Sequence, residues 1–168
     1  MKKDVKQVIS ALTNSFPEIQ GYVVTNPADI FYLTGFYCAD SVLLYSSDPV
    51  LVTDSRYAIA CKNASCKQKI VNGSYISGII DIIKTQGLTV LGIQEDNLLT
   101  SDYLLLKEAG FTLKKTEGIF TSIRSSKTDA EVKKINKQFQ RGLITDQERY
   151  ELVINVWDAA KDEIKKEL

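Results

Sequence analysis

Apolar positions along this chain keep two rhythms. Up to about residue 115, short apolar runs punctuated by Gly, Pro and Asp mix with stretches of helical period, whereas beyond Lys127 only the helical period remains. Val5, Val8, Ile9 and Leu12 predict an amphipathic helix over about residues 3 to 14, ending before Pro17. Gly21 to Thr25 is a short β-rich run that Asn26-Pro27 breaks, because proline offers no donor and restricts the residue before it. Ser41 to Ser46 and Val50 to Thr53 flank Ser47-Asp48-Pro49, which predicts a hairpin with Asp and Pro in the turn. Further along, the pattern predicts helix from about Ser55 to Asn63, strand near Lys69 to Val71, and helix from about Ser74 to Gln86. Strand at Thr89 to Ile93, helix from Thr100 to Ala109 closed by Gly110, and strand at Phe111 to Lys115 complete the series.

After Ser125 the texture changes. Val132, Ile135 and Phe139, then Tyr150, Val153, Ile154, Trp157, Ile164 and Leu168, recur by threes and fours. Between them Gly142 suits a left-handed helix cap, and Thr145 with Glu148 forms a capping-box pattern. Two antiparallel helices joined by a tight turn are therefore expected. The sequence divides into an α/β domain over residues 1–125 and a helical hairpin over 126–168.

Composition narrows the function classes. Lys plus Arg and Asp plus Glu both number 21, so no global field draws the chain to nucleic acid or an anionic membrane. Its apolar runs fall short of a membrane span, and Met1-Lys2-Lys3 leads into an amphipathic segment rather than a signal core, which predicts a cytoplasmic protein. Cys38, Cys61 and Cys66 are expected as reduced thiols. With no histidine anywhere in the chain, no zinc set is expected. Asp54 beside Arg56, at a strand end, fits a helix cap and an ion pair better than catalysis. Glu95 and Asp96 read as solvated loop carboxylates. We find no nucleophile with its base and no phosphate-binding glycine loop.

Two strings are distinctive. Asn26-Pro27-Ala28-Asp29-Ile30-Phe31-Tyr32-Leu33-Thr34-Gly35-Phe36, followed by Leu51-Val52-Thr53-Asp54-Ser55-Arg56-Tyr57 and by Ile123-Arg124-Ser125-Ser126-Lys127-Thr128-Asp129-Ala130-Glu131-Val132, resembles the amino-terminal domain of the creatinase/prolidase family, the Xaa-Pro peptidases. The resemblance implies a mixed-sheet, ribonuclease H-like α/β fold without catalytic residues. The family's two divalent metal ions, held by two Asp, one His and two Glu, belong to a second domain, so no cofactor is expected in this chain. It also implies a role in subunit association and in shaping an active-site entrance through Phe36, Tyr37 and Cys38; should the chain form a homodimer, the apolar stripe of Tyr150, Val153, Trp157 and Ile164 on the second helical arm is the natural interface. Phe31, Tyr32 and Leu33 are expected in the core, and Tyr37 suits core or rim equally. Gly35 supplies either a backbone shape or a close approach.

From about residue 136 the chain departs from that pattern. Arg141-Gly142-Leu143-Ile144-Thr145 followed by Glu148-Arg149-Tyr150, then Val153, Trp157 and Ile164, resembles a helical hairpin of the bacterial RNA polymerase β′ subunit at the rim of the secondary channel. That resemblance implies a composite chain, joined by engineering or gene rearrangement. It also implies a second function, a protein-interaction module whose partners are transcription factors. A stand-alone small-molecule binding domain is a third reading, resting on fold type alone.

Overall fold

The computed structural model describes Val8 and residues 12–116, 118–125, 127 and 129–153. It divides into two units, residues 2–119 and 120–168, described separately below. The expected first helix is described only at Val8 and residues 12–15, which are helical.

Six strands form one mixed sheet in the first unit: β1 (Gly21–Val24), β2 (Ser41–Tyr45), β3 (Val50–Asp54), β4 (Lys67–Val71), β5 (Val90–Ile93) and β6 (Thr112–Lys115), in the order β4-β3-β2-β1-β5-β6. β2 runs antiparallel to both its neighbours, and the other pairings, β3 with β4, β1 with β5 and β5 with β6, are parallel. Five strands therefore point one way and β2 the other. The β2–β3 hairpin turns at the expected Ser47-Asp48-Pro49, where the Ser46 hydroxyl donates to the Asp48 carbonyl and accepts from the Asp48 N–H. The central strands β1, β2 and β3 are buried almost throughout, whereas edge strands β4 and β6 alternate half-buried with exposed positions. On the β4 edge Lys67 and Lys69 pair with Asp48 and Asp81, and such charges discourage a further strand from docking.

One face of the sheet carries α2 (Tyr75–Thr85) and α3 (Thr100–Glu108), following α1 (Pro27–Thr34) in chain order. Ser74 caps α2 by accepting from Ser77 N–H, and Ile76, Ile79 and Ile83 bury against Val23, Val42, Leu44, Val52, Leu91 and Ile93. Helix and sheet meet closely at Gly78, where an added Cβ would lie 2.8 Å from Val71 Cγ1. Alternation sends Tyr22, Val24, Leu43 and Thr53 to the opposite face, and the Tyr22 hydroxyl donates to the Leu12 carbonyl at 3.1 Å there. The Tyr22 ring needs Gly92, its neighbour across the β1–β5 pairing, because a Cβ at 92 would lie 2.5 Å from it.

Two elements differ from the sequence-based expectation. Asn26-Pro27, read as a break, begins α1: Asn26 accepts from Ala28 N–H, and Pro27 occupies the first turn, where a missing N–H costs nothing. The segment from Ser55 to Asn63, expected as one helix, forms two 3₁₀ turns at Ser55–Tyr57 and Ala60–Asn63. Asp54 accepts from Arg56 N–H and Ala58 N–H donates to the Ser55 carbonyl, closing the first turn in the tighter pattern.

The second unit contains α4 from Phe120 onward (Ile119–Ser125), α5 (Asp129–Gln140) and a helix over residues 146–153. The turn is built as its sequence predicts. Gly142 takes φ 68°, its N–H donates to the Phe139 carbonyl, and Leu143 N–H donates to the Gln138 carbonyl. The capping box closes reciprocally: Glu148 accepts from Thr145 N–H at 2.7 Å, and Thr145 Oγ1 accepts from Glu148 N–H at 3.2 Å. Arg149 lies over the Phe139 ring, 4.8 Å from its centroid, and so links the arms. Arg141 and Tyr150 are exposed and Val153 half-buried, while Trp157 and Ile164 lie outside the described residues.

Candidate functional site

Because five strands share a direction, their carboxyl ends and the start of β2 meet at one edge of the sheet. This is where open α/β sheets place their ligand crevices. Asn26 and Asp29 follow β1, Asp54 and Arg56 follow β3, and Gln94 and Glu95 follow β5. Thr116 follows β6, and Asp40 precedes β2. Gln94 organises the centre. Its side-chain carbonyl accepts from Thr25 N–H at 2.8 Å and Asn26 N–H at 2.9 Å, and its amide donates to Asp29 Oδ2 at 2.6 Å. Gln94 is 5% exposed and Asp29 2%, so this amide replaces water for the turn that starts α1.

α1 then presents the Phe36 loop. Gly35 takes φ 72° and donates to the Phe31 carbonyl at 2.7 Å; a Cβ there would meet nothing within 4 Å, so this glycine serves backbone shape rather than close approach. The Thr34 hydroxyl donates to the Ile30 carbonyl and accepts from Phe36 N–H, while Ser65 N–H and hydroxyl both donate to the Thr34 carbonyl. The loop is thus fixed by hydrogen bonds on both sides.

The aromatic side chains here fall differently from expectation. Ile30 and Leu33 are buried, but Phe31 is 52% exposed rather than in the core, because it lies about 100° around α1 from Ile30. Tyr32 and Phe36 are half-buried and Tyr37 is 64% exposed. Cys38 is placed inside, 1% exposed, with Sγ 3.4 Å from the Asp40 carbonyl and 3.7 Å from Thr53 Oγ1. Cys38 and Cys61 are buried thiols and Cys66 a half-buried one.

Beside the loop stands an ion-pair cluster. Arg56 donates through Nε and Nη2 to Asp54, with Nη2–Oδ2 at 2.6 Å, and reaches Asp40 at 3.1 Å. The Tyr75 hydroxyl donates to Asp54 Oδ2 at 2.6 Å. Arg56 first and then Tyr75 hold the Asp54 carboxyl far below the usual carboxylate range. Since the folded carboxyl ionises more readily than the unfolded one, its contribution is complete above about pH 4 and is lost as pH falls further. We therefore expect the stability difference between the native chain and Asp54→Asn to be flat from about pH 5 to 7 and to shrink below about pH 4. Denaturant midpoints measured across that range check this, and a pH-independent difference would refute it.

Among the described residues no group of three or more His, Cys, Asp or Glu is placed to hold a metal ion. No helix among them is long and apolar enough to cross a membrane.

Fold and edge together define a mixed-sheet α/β domain with a polar carboxyl edge and an aromatic loop. The model of the creatinase/prolidase N-terminal domain matches residues 8–126, and the chain belongs to that family. Among solved structures it is similar to an Xaa-Pro dipeptidase from Bacillus anthracis, with 26% identity and a TM-score of 0.67 over 92% of this chain and 49% of that one. It also matches the N-terminal domain of the cytoplasmic peptidase PepQ from Mycobacterium tuberculosis, with 22% identity and a TM-score of 0.60 over 71% of this chain and 95% of that domain. Part of the chain is similar to the DNA-directed RNA polymerase subunit β′ of Lactobacillus acidophilus, 42% identical over an alignment of 81 residues that covers 41% of this chain and 7% of the subunit. The β′ subunit of Listeria grayi matches similarly, 45% identical over 74 residues. The chain thus spans less than a tenth of the curated relatives it matches. A stretch of 41% is also longer than everything after residue 126, so the polymerase likeness reaches into the residues matched by the family model.

Proposed function

We propose that this chain provides the non-catalytic amino-terminal domain of a metal-dependent Xaa-Pro peptidase, where it forms a subunit contact and shapes the substrate entrance, while the dimetal chemistry resides in another domain of the parent. One observation carries this reading. Phe31 and Tyr37 stand exposed on a helix and loop pinned by the Asn26 cap, the Gly35 turn and the Ser65 bonds. Exposed aromatics on a rigid frame suit an interface, because little side-chain freedom is lost on contact. Phe36 flanks them, and Cys38 acts from behind by fixing the loop base.

Light scattering on the full chain and on Phe31→Ser/Tyr37→Ser tests the contact. We expect dimers whose dissociation constant rises at least about tenfold in the double variant, as when hot-spot residues are truncated. A native chain monomeric at every concentration, or dimers indifferent to the substitutions, would refute the association role. Metal-dependent hydrolysis of an Xaa-Pro dipeptide by the purified chain, with manganese or cobalt added, would refute the non-catalytic one.

The polymerase likeness favours a second reading, in which the hairpin presents a β′-type surface to transcription factors. Exposed Arg141, Leu143 and Tyr150 around the capped turn support it, and Val153, Trp157 and Ile164 extend the same sequence pattern. Retention of elongation or transcript-cleavage factors on the immobilised chain is expected. Failure to retain any while circular dichroism shows the hairpin folded would remove this reading.

A further inference from the structure

A cavity of about 360 Å³ opens beside the outer strands, lined by Ile93, Leu98, Leu113 and Tyr103 with Glu95, Lys115 and Thr100. None of these residues takes part in the aromatic loop or the Asp54 cluster. Ile93 and Lys115 face each other across the β5–β6 pairing, and Leu113 and Lys115, two residues apart, project to one face. Glu95, in the turn that follows β5, lines the same cavity as Ile93. The register therefore sets a carboxylate and an ammonium at the same end of two neighbouring parallel strands, above an apolar floor of Ile93, Leu98 and Leu113.

The two charges differ in their commitments. Glu95 accepts from Thr116 N–H at 3.3 Å, which anchors its carboxylate at the rim. Among the described residues no carboxylate pairs with Lys115, which is exposed. The Tyr103 ring and the Thr100 hydroxyl close the α3 side.

We propose that this cavity binds a free amino acid with an apolar side chain, its carboxylate on Lys115, its ammonium on Glu95, and its side chain on the Ile93, Leu98 and Leu113 floor. A carboxylate and an ammonium on one rim match both charges of a zwitterion, whereas a simple acid or a simple amine can meet only one of them. The volume falls at the small end of ligand sites, which suits one residue rather than a long peptide.

The full chain, labelled with ¹⁵N, is titrated with L-leucine, isovalerate and isoamylamine. For a ligand of this size a dissociation constant of about 1 mM is expected for leucine, with shifts concentrated at Ile93, Glu95, Leu98, Tyr103 and Lys115. The two half-molecules and the variants Lys115→Met and Glu95→Gln are each expected to weaken binding about tenfold, the usual loss for a hydrogen bond to a charged group. Glutamine at 95 can still accept from Thr116, so this variant leaves the turn intact. Absence of shifts at these amides up to about 20 mM leucine, twenty times the expected constant, overturns the proposal. So does leucine binding that both variants leave within about twofold, or isovalerate binding as well as leucine does. The readout is independent of oligomeric state and of Xaa-Pro hydrolysis, so it stands apart from the subunit-contact reading.

Discussion

Gly92→Ala is expected to lower stability by about 3 kcal/mol or more, the upper range for overpacking a filled core. The added methyl would lie 2.5 Å and 2.8 Å from two ring carbons of Tyr22 and 2.9 Å from Thr116 Cγ2. Neither neighbour can swing away freely. The Tyr22 ring is tethered through its hydroxyl to the Leu12 carbonyl, and the Thr116 hydroxyl donates to the Ile93 carbonyl at 3.0 Å. A compensating Tyr22→Phe releases the first tether but not the space, so it is expected to recover only part of the loss. Thermal unfolding of Gly92→Ala beside Gly21→Ala provides the check. At Gly21 the nearest atom, 3.0 Å away, is the far end of the Leu88 side chain, which can move, and a smaller effect follows. Equal losses at both positions would refute this account.

Gln94→Ala is expected to cost about 3 to 5 kcal/mol, since truncation strands two backbone N–H groups and removes a donor from a buried carboxylate, each worth about 1 to 3 kcal/mol and partly relieved by water. Replacing Gln94 with Glu separates polarity from shape. The new carboxylate could still accept from Thr25 and Asn26, but it would face Asp29 where the amide donated at 2.6 Å. Two carboxylates at that spacing cannot both ionise cheaply, so one folded-state pKa rises above its unfolded value. The stability of Gln94→Glu should then be greatest at low pH, where the pair shares a proton, and fall as pH rises through the raised value. Denaturant midpoints from pH 4 to 8 would show the variant approaching the native chain toward the acid end. A deficit independent of pH would mean that the Asp29 contact does not matter.

Much of this arrangement was legible in the sequence, for identifiable reasons. The β2–β3 hairpin follows from apolar runs around Asp48-Pro49, and the capped hairpin turn follows from Gly142 and from Thr145 with Glu148. These features depend on residues within a few positions of one another. α1 was hidden because Asn26-Pro27 serves equally as a strand terminator and a helix start, and only the Asn26 cap and Gly35 φ distinguish them. The same ambiguity concealed the exposure of Phe31, since a residue cannot be assigned to a face before its period is known. Gln94 carried no local signal at all. Its partners lie 65 to 69 positions earlier, and their proximity arises only once β5 lies beside β1. The rim pair Glu95 and Lys115 was half legible: Glu95 read as a solvated carboxylate, while its relation to Lys115 needed the β5–β6 register.

The strand order also bears on how the sheet is completed. β1 to β4 neighbour one another in the sheet in their chain order, so these four strands can pair without any residue beyond Val71. β5 then has to return past three strands to the far side of β1, and until it does, the apolar Gly21–Val24 strand presents an open edge. Closing that long loop is the entropically slow step, and it is also the step that brings Gln94 to Thr25, Asn26 and Asp29. A chain in which β1 to β4 have paired and β5 has not yet docked therefore leaves the edge of β1, buried in the finished sheet, open to pairing with a neighbouring copy, and the docking of β5 is the step that closes it.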